Sequence, residues 1–203
     1  MSGGQVSEAG RYDGVTIGLH WFVAALAIAV AVLGLMIPEA PRGSEWRDWI
    51  LLWHRSIGMA ILAAMVLRML WRLRHPSPPL PPGLKPVEAF LAHATHGLLY
   101  VAFVAMPLAG YLNTAAAGHP LSLFGLVTLP PPIAENQRLA QIAIALHLVG
   151  QFAVYGFVAL HVAAALMHGI FRRDGVFSRM LPARTARRML GWTAPNGIDS
   201  ARL

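Results

Sequence analysis

The sequence predicts an all-α integral membrane protein, a bundle of four membrane-spanning helices. The chain has 203 residues, of which 56% are hydrophobic and only 12% are charged. Soluble domains carry about a quarter charged residues, so this deficit indicates a chain whose surroundings are mostly lipid. Long apolar stretches recur four times along the sequence, and each exceeds the roughly 20 helical residues that cross a hydrocarbon core.

The four apolar stretches are separated by segments that break helices. Prolines crowd the connector after His75 and the loop around Pro131. The fourth stretch is longer than a single crossing requires, so we expect it to tilt or to emerge into water. We expect one membrane domain over residues 1–182 and a basic tail over residues 183–203. The predicted helices cover about residues 16–37, 49–71, 90–113 and 138–171.

The placement of lysine and arginine predicts the orientation of the chain. The net charge of +7 comes mostly from the connector between the second and third stretches and from the C-terminal tail. The other two loops mix Arg42, Arg47 and Arg138 with acidic residues. Because positive loops stay on the cytoplasmic side, both termini are expected in the cytoplasm. The excess of basic residues is therefore explained by membrane topology, and we expect no nucleic-acid partner.

Histidines carry the expected chemistry of this chain. Cysteine is absent, which excludes thiolate metal sites, iron–sulfur clusters and covalently attached heme. Ionisable residues at membrane depth are expensive and usually functional. A single such histidine often makes only a hydrogen bond between helices, but a set spread over four helices favours a cofactor. The histidines in or beside the apolar stretches are His20, His54, His96, His147, His161 and His168.

The sharpest signal is the spacing of His147 and His161, which lie 14 positions apart. In a helix this step returns to within about 40° of the same face and rises about 21 Å. One helix therefore offers a ligand near each side of the bilayer, as two hemes stacked in a bundle core require. The predicted fold is thus a four-helix membrane bundle with two hemes in its core.

Each heme iron needs a second axial ligand at matching depth. His54 lies early in the second helix and matches His147, whereas His20 lies early in the first helix and matches His161. His96 is the rival partner for His161. Iron with two histidine ligands has no open position, so such hemes transfer electrons and do not bind oxygen.

Other polar residues near these histidines have two interpretations each. Arg55 and Arg68 are candidates to bind heme propionates. Alternatively, Arg55 attracts an anionic reductant at the periplasmic side, and Arg68 extends to the lipid headgroups. His96 and His168 are candidates for a quinone or proton site, or else are interfacial histidines in contact with water.

Small residues near the histidines are candidates for close approach of a porphyrin: Gly18, Gly58, Gly97 and Gly150.

Over residues 11–182 the chain resembles the bacterial cytochrome b561 family. The resemblance rests on Gly-Leu-His20-Trp-Phe in the first helix and Trp-His54-Arg-Ser-Ile-Gly in the second. It continues in Leu-Ala-His93-Ala-Thr-His96-Gly in the third helix. In the fourth helix it rests on His147 and on Leu-His161-Val-Ala-Ala-Ala-Leu-Met-His168.

This resemblance implies two non-covalent b hemes, held by His20 with His161 and by His54 with His147, in a protein of the bacterial inner membrane. It also implies electron exchange with the quinone pool. One branch of the family oxidises periplasmic superoxide to O2 and reduces ubiquinone, and this enzymatic function is the leading hypothesis. Other relatives are heme subunits that link quinone to a redox partner protein, which is the alternative. A transporter whose histidines relay protons without heme is a third hypothesis.

Overall fold

The fold is a four-helix bundle, as the sequence predicts. The computed structural model describes residues 11–80, 83–182 and 185. Most of the expected basic tail, residues 183–203, lies outside the described residues. The helices are α1 (Gly14–Met36), α2 (Glu45–Arg74), α3 (Pro86–Ala116) and α4 (Gln137–Leu166), and two short strands, β1 (Leu121–Leu123) and β2 (Val127–Leu129), precede α4. Within the described ranges, four helices are long and apolar enough to cross a membrane.

Local signals in the sequence fix where the helices begin. Asp13, Ser44 and Asn136 each accept a hydrogen bond from the backbone three residues later, which satisfies an orphan N–H of the first turn. The helices begin before the apolar stretches in the sequence because their first turns contain polar residues, as the first turn of α2 does. Although burial alone would raise it, the pKa of the Asp13 carboxyl lies below its usual value because Thr16 and Trp71 donate hydrogen bonds to it.

Neighbouring helices run in opposite directions. Trp71, near the end of α2, donates a hydrogen bond to Asp13, before α1. Similarly, Arg172 after α4 pairs with Glu88 at the start of α3. We call the end where α1 begins and α4 ends the termini end. The opposite end carries the two strands, and we call it the hairpin end.

A small β-hairpin that hydropathy did not reveal closes the hairpin end. Strands β1 and β2 pair antiparallel, with Leu121 opposite Leu129. The turn is anchored to α2, because the backbone N–H of Phe124 donates to Oγ of the buried Ser56 at 2.7 Å. The ring of Phe124 also packs edge-on against Trp53. The hairpin therefore holds the loop before α4 against the first turns of α2.

The apolar core lies near the middle of the bundle. Its buried members come from α1 and α2, and α3 adds partly buried side chains around them. The outer faces of the helices expose large apolar side chains such as Ile28, Phe90 and Val149. An apolar outside is expected where the surrounding medium is lipid. The buried core residues are Val23, Ile61, Ala64 and Met65.

Candidate functional site

Two layers of residues, one toward each end of the bundle, carry the histidines of the site. Each helix contributes one residue to each layer, and on every helix the two contributions are 14 positions apart. This step keeps both on nearly the same helix face, about 21 Å apart along the axis. The hairpin-end layer consists of Gly34, His54, Gly110 and His147, and the termini-end layer consists of His20, Arg68, His96 and His161.

In the hairpin-end layer, the rings of His54 and His147 lie next to each other in an edge-on arrangement. Their centroids are 6.1 Å apart and their planes are inclined by 75°. A metal ion bound by an imidazole on each side, at about 2 Å from either nitrogen, separates the ring centroids by roughly 6 Å. The observed spacing therefore matches that of two axial ligands.

Both rings of this pair are oriented by backbone carbonyls. Nδ1 of His54 lies 3.1 Å from the carbonyl oxygen of Val30, and Nδ1 of His147 lies 3.0 Å from that of Met106. A carbonyl oxygen only accepts hydrogen bonds, so each Nδ1 carries the hydrogen and donates it. Nε2 of each ring then keeps its lone pair for a metal, which is the arrangement that metal-binding histidines require.

A cavity adjoins this pair. It has a volume of about 100 Å³, and both His54 and His147 line it. The remaining lining is largely apolar, with Phe103 from α3 and Tyr155 from α4. Apolar walls and two converging imidazoles suit a porphyrin, whose faces are apolar and whose iron takes axial nitrogen ligands. The residues at the hairpin end therefore fit a heme.

In the termini-end layer, His161 contacts two other histidine rings. Its centroid is 6.1 Å from that of His20 and 5.3 Å from that of His96. The first separation equals that of the hairpin-end pair, and the second is shorter. Both partners that the sequence suggested thus meet His161, and the spacing favours His20 as the second axial ligand.

The guanidinium group of Arg68 points into this layer. Its Nε donates to the hydroxyl of Tyr100 at 3.0 Å, and its terminal nitrogens lie 3.3 Å from Nδ1 of His20. Arg55, which adjoins His54 on α2, is half-buried. Arg68 therefore lies in the termini-end layer, and Arg55 lies beside a histidine of the hairpin-end layer.

His168 belongs to a polar cluster beyond α4 at the termini end. It lies in a π-helical turn, Met167–Arg172, and its Nδ1 is 2.5 Å from a carboxylate oxygen of Asp174. Its side chain is only 11% exposed. Arg172 links the cluster to α3 through an ion pair with Glu88 at 2.7 Å. By contrast, His93 is exposed, and its Nδ1 bonds the carbonyl of Ala89 on its own helix.

Sequence reasoning missed two glycines of the hairpin-end layer. A Cβ on Gly34 would lie 3.1 Å from Cε1 of His54, and a Cβ on Gly110 would lie 3.2 Å from Cε1 of His147. The signal was present, because each glycine follows a histidine of its own helix by 14 positions, as His161 follows His147. Leaving adjacent residues aside, a Cβ on any of the glycines singled out from the sequence would meet no histidine ring among its nearest described atoms: Gly18, Gly58, Gly97 and Gly150.

A membrane-spanning four-helix bundle with neighbouring histidines in its interior has the architecture of a membrane-bound cytochrome. Comparison with known proteins agrees. Residues 11–183 match the family described as prokaryotic cytochrome b561. The chain therefore belongs to the prokaryotic cytochrome b561 family, and it is a membrane heme protein of electron transfer.

Individual relatives of known sequence cover most of the chain. It is 34% identical to "Probable superoxide oxidase CybB" of Yersinia pestis over 86% of this chain and 97% of that protein. It is 31% identical to "Cytochrome b561 homolog 2" of Escherichia coli K12 over 84% of this chain and 91% of that protein. "Cytochrome b561 homolog 1" of the same strain is 27% identical.

Proposed function

We propose that the protein is a di-heme b-type cytochrome that moves electrons across the bacterial inner membrane. His54 and His147 would hold one heme, and His20 and His161 the other. The observation that carries this proposal is the equal centroid separation of the two pairs, 6.1 Å in each case. When bound between two histidines, each heme supplies reversible one-electron chemistry without an open position for oxygen.

The arginines of the bundle suit the acidic edges of such cofactors. Arg68 lies within the termini-end layer, and Arg55 adjoins a ligand of the other layer. A guanidinium group in a membrane needs an anionic partner, and a propionate carboxylate accepts two parallel N–H bonds from it. We assign Arg68 to a propionate at the termini end and Arg55 to one at the hairpin end.

The distribution of charge supports an orientation. Arg72, Arg74 and Lys85 lie at the termini end, together with the basic residues in the described segment that follows α4. Because positively charged loops stay in the cytoplasm, the termini end would face the cytoplasm and the hairpin end the periplasm. Electrons donated in the periplasm would then enter at His54 and His147.

We propose further that the donor is superoxide and the acceptor ubiquinone. Two superoxide ions each lose one electron and become O2, and ubiquinone takes up two electrons and two protons to become ubiquinol. The name of the Yersinia pestis relative supports this reaction. Arg55 would attract the anion, while His96 and His168 would contact the quinone or supply its protons. The partners are thus lipid, superoxide and quinone.

The bond between His168 and Asp174 supports a role in proton transfer. The carboxylate accepts the hydrogen of Nδ1 and so fixes the orientation of the ring. Nε2 of His168 is then free to take a proton from the aqueous side and pass it to a reduced quinone oxygen. This cluster lies at the end where cytoplasmic protons would enter.

One observation favours a second candidate, a heme subunit that serves a redox partner protein. The guanidinium group of Arg47, at the hairpin end, binds the backbone carbonyls of Ile37 and Ala40. These bonds hold the side chain against the first loop, where the acidic residues Glu39 and Glu45 offset its charge and weaken the attraction of this end for superoxide. A partner protein that docks on this end would not need such attraction.

Two measurements test the proposal. A pyridine hemochrome assay should give two hemes per chain, all extracted by acidified organic solvent because the chain has no cysteine. One heme per chain would contradict the two-site arrangement. Stopped-flow mixing of the oxidised protein with superoxide and ubiquinone should then show rapid heme reduction followed by quinol formation. Hemes that stay oxidised with superoxide but are reduced by quinol would identify the heme subunit instead.

A further inference from the structure

The two histidines of the hairpin-end layer are held by the same local arrangement on different helices. His54 reaches from α2 to the carbonyl of Val30 on α1, and the residue four positions after Val30 is Gly34. His147 reaches from α4 to the carbonyl of Met106 on α3, four positions before Gly110. Each glycine therefore lies one helical turn beyond the carbonyl that its histidine uses.

The geometry of an α-helix explains why that position matters. The carbonyl of residue i accepts the N–H of residue i+4, and its second lone pair is free for another donor. Side chains in a helix lean toward its N-terminus, so the side chain at i+4 covers the turn that contains this carbonyl. A glycine at i+4 leaves the carbonyl open on that side. The imidazole rings of His54 and His147 occupy the space that is left.

The space is too small for a methyl group. A Cβ on Gly34 would be 3.1 Å from Cε1 and 3.5 Å from Nδ1 of His54. On Gly110 the corresponding distances to His147 would be 3.2 and 3.3 Å. Carbon atoms in favourable contact are about 3.5–4.0 Å apart, so either ring would have to retreat by several tenths of an ångström. Such a movement lengthens the hydrogen bond from Nδ1.

We propose that Gly34 and Gly110 are positioning residues of the hairpin-end heme. By leaving the carbonyls of Val30 and Met106 accessible, they let both axial histidines donate Nδ1–H and keep Nε2 for the iron. This inference rests on the di-heme function proposed above. The termini-end layer is built differently, because α1 and α3 supply His20 and His96 there in place of the glycines.

The test compares four alanine variants of the full-length protein purified with its hemes. Gly34→Ala and Gly110→Ala should each speed transfer of the hairpin-end heme to apomyoglobin about 10- to 100-fold, the range typical for loss of an outer partner of a metal ligand. Gly18→Ala and Gly97→Ala are the matched controls on α1 and α3. Both control glycines are exposed, and within the described chain a Cβ there meets nothing within 4 Å beyond the adjacent residues and the backbone of its own helix.

Two further readouts separate positioning of the ligands from a general loss of packing. A weaker hydrogen bond from Nδ1–H makes the imidazole a poorer electron donor to ferric iron, which destabilises the ferric state. The midpoint potential of the retained heme should therefore rise in Gly34→Ala and Gly110→Ala. The electron paramagnetic resonance signal of that heme should shift as the ring planes turn from their 75° inclination. A His161→Ala background, which retains only the hairpin-end pair, assigns both changes to this heme.

The outcomes are distinct. Faster heme loss with a raised potential and a shifted signal, in the two test variants alone, supports the inference. Test variants that match the controls in all three readouts, in a protein that holds both hemes, overturn the inference and leave the proposed function intact. A parent protein without a heme between His54 and His147 overturns the proposed function itself and the inference with it.

Discussion

The guanidinium group of Arg68, on α2, lies 3.3 Å from Nδ1 of His20, on α1. A guanidinium only donates hydrogen bonds, so Nδ1 of His20 accepts, and the neutral ring carries its hydrogen on Nε2. Binding iron through Nε2 requires this contact to open. Arg68 would then be free to neutralise a propionate. The rings of His54 and His147 need no such change, because their Nδ1 atoms already donate to carbonyls.

Removing the charge of Arg68 should lower the midpoint potential of the termini-end heme. A unit charge about 10 Å away, at an effective dielectric constant of about 20, contributes about 1.7 kcal/mol, or roughly 70 mV for one electron. We therefore expect a decrease of that order in Arg68→Gln and recovery in Arg68→Lys, measured by redox titration in a His54→Ala background. Arg72→Gln is the matched control, since Arg72 on the same helix lies over the ring of Tyr12. A larger decrease in the control would contradict the assignment.

The axial pairs predict which histidine variants lose a heme. His161→Ala and His20→Ala should each remove the termini-end heme, and His54→Ala and His147→Ala the other, so that heme content decreases from two per chain to one. The reason is that a porphyrin held by one histidine loses half of its axial bonds.

Two variants decide the pairing at the termini end. His96→Ala should keep both hemes, because the spacing of His161 matches His20 and not His96. His93→Ala, which changes an exposed histidine of the same helix, is the control. Loss of a heme in His96→Ala with both retained in His20→Ala would make His96 the ligand.

Arg55 is expected to guide superoxide to the hairpin end. Arg55→Gln should slow heme reduction by superoxide several-fold to ten-fold at low ionic strength, because a positive charge raises the local concentration of an anionic substrate. The difference should shrink near 1 M salt, where the screening length is about 3 Å. Arg74→Gln removes the same charge at the opposite end and should leave the rate unchanged. Equal rates for Arg55→Gln and the parent at low salt would exclude this role.

His168 is expected to act in quinone reduction. A positioned acid or base typically contributes about 10²- to 10⁴-fold to a rate, so His168→Gln should slow quinol formation by at least about 100-fold while both hemes are retained. Asp174→Asn should give a smaller decrease, because it weakens the bond that orients the ring. Heme reduction by superoxide should be unaffected in both variants. His93→Gln is the control, and a quinol rate unchanged by His168→Gln would place the proton donor elsewhere.

Much of the fold follows from periodicity and composition alone. An apolar helix must satisfy its backbone internally to cross lipid, so four long apolar stretches are enough to predict four membrane helices. The β-hairpin between α3 and α4 escaped prediction because its strands have three residues each, and its position depends on the bond from Phe124 to Ser56, 68 positions away. The first turn of α2 was not predicted either, because its residues are polar and hydropathy detects only apolar segments.

The sequence by itself determined the helices, their number and the two depths at which the histidines lie, because a helix converts spacing along the chain directly into depth and direction. Only the tertiary structure decided what each ring contacts. The contact of His161 with both His20 and His96, and the choice of a carbonyl or a guanidinium as the partner of Nδ1, depend on how the helices rotate and pack against one another. Gly34 and Gly110 acquire their importance in the same way, since a glycine becomes part of a site only when a neighbouring helix places a ring against it.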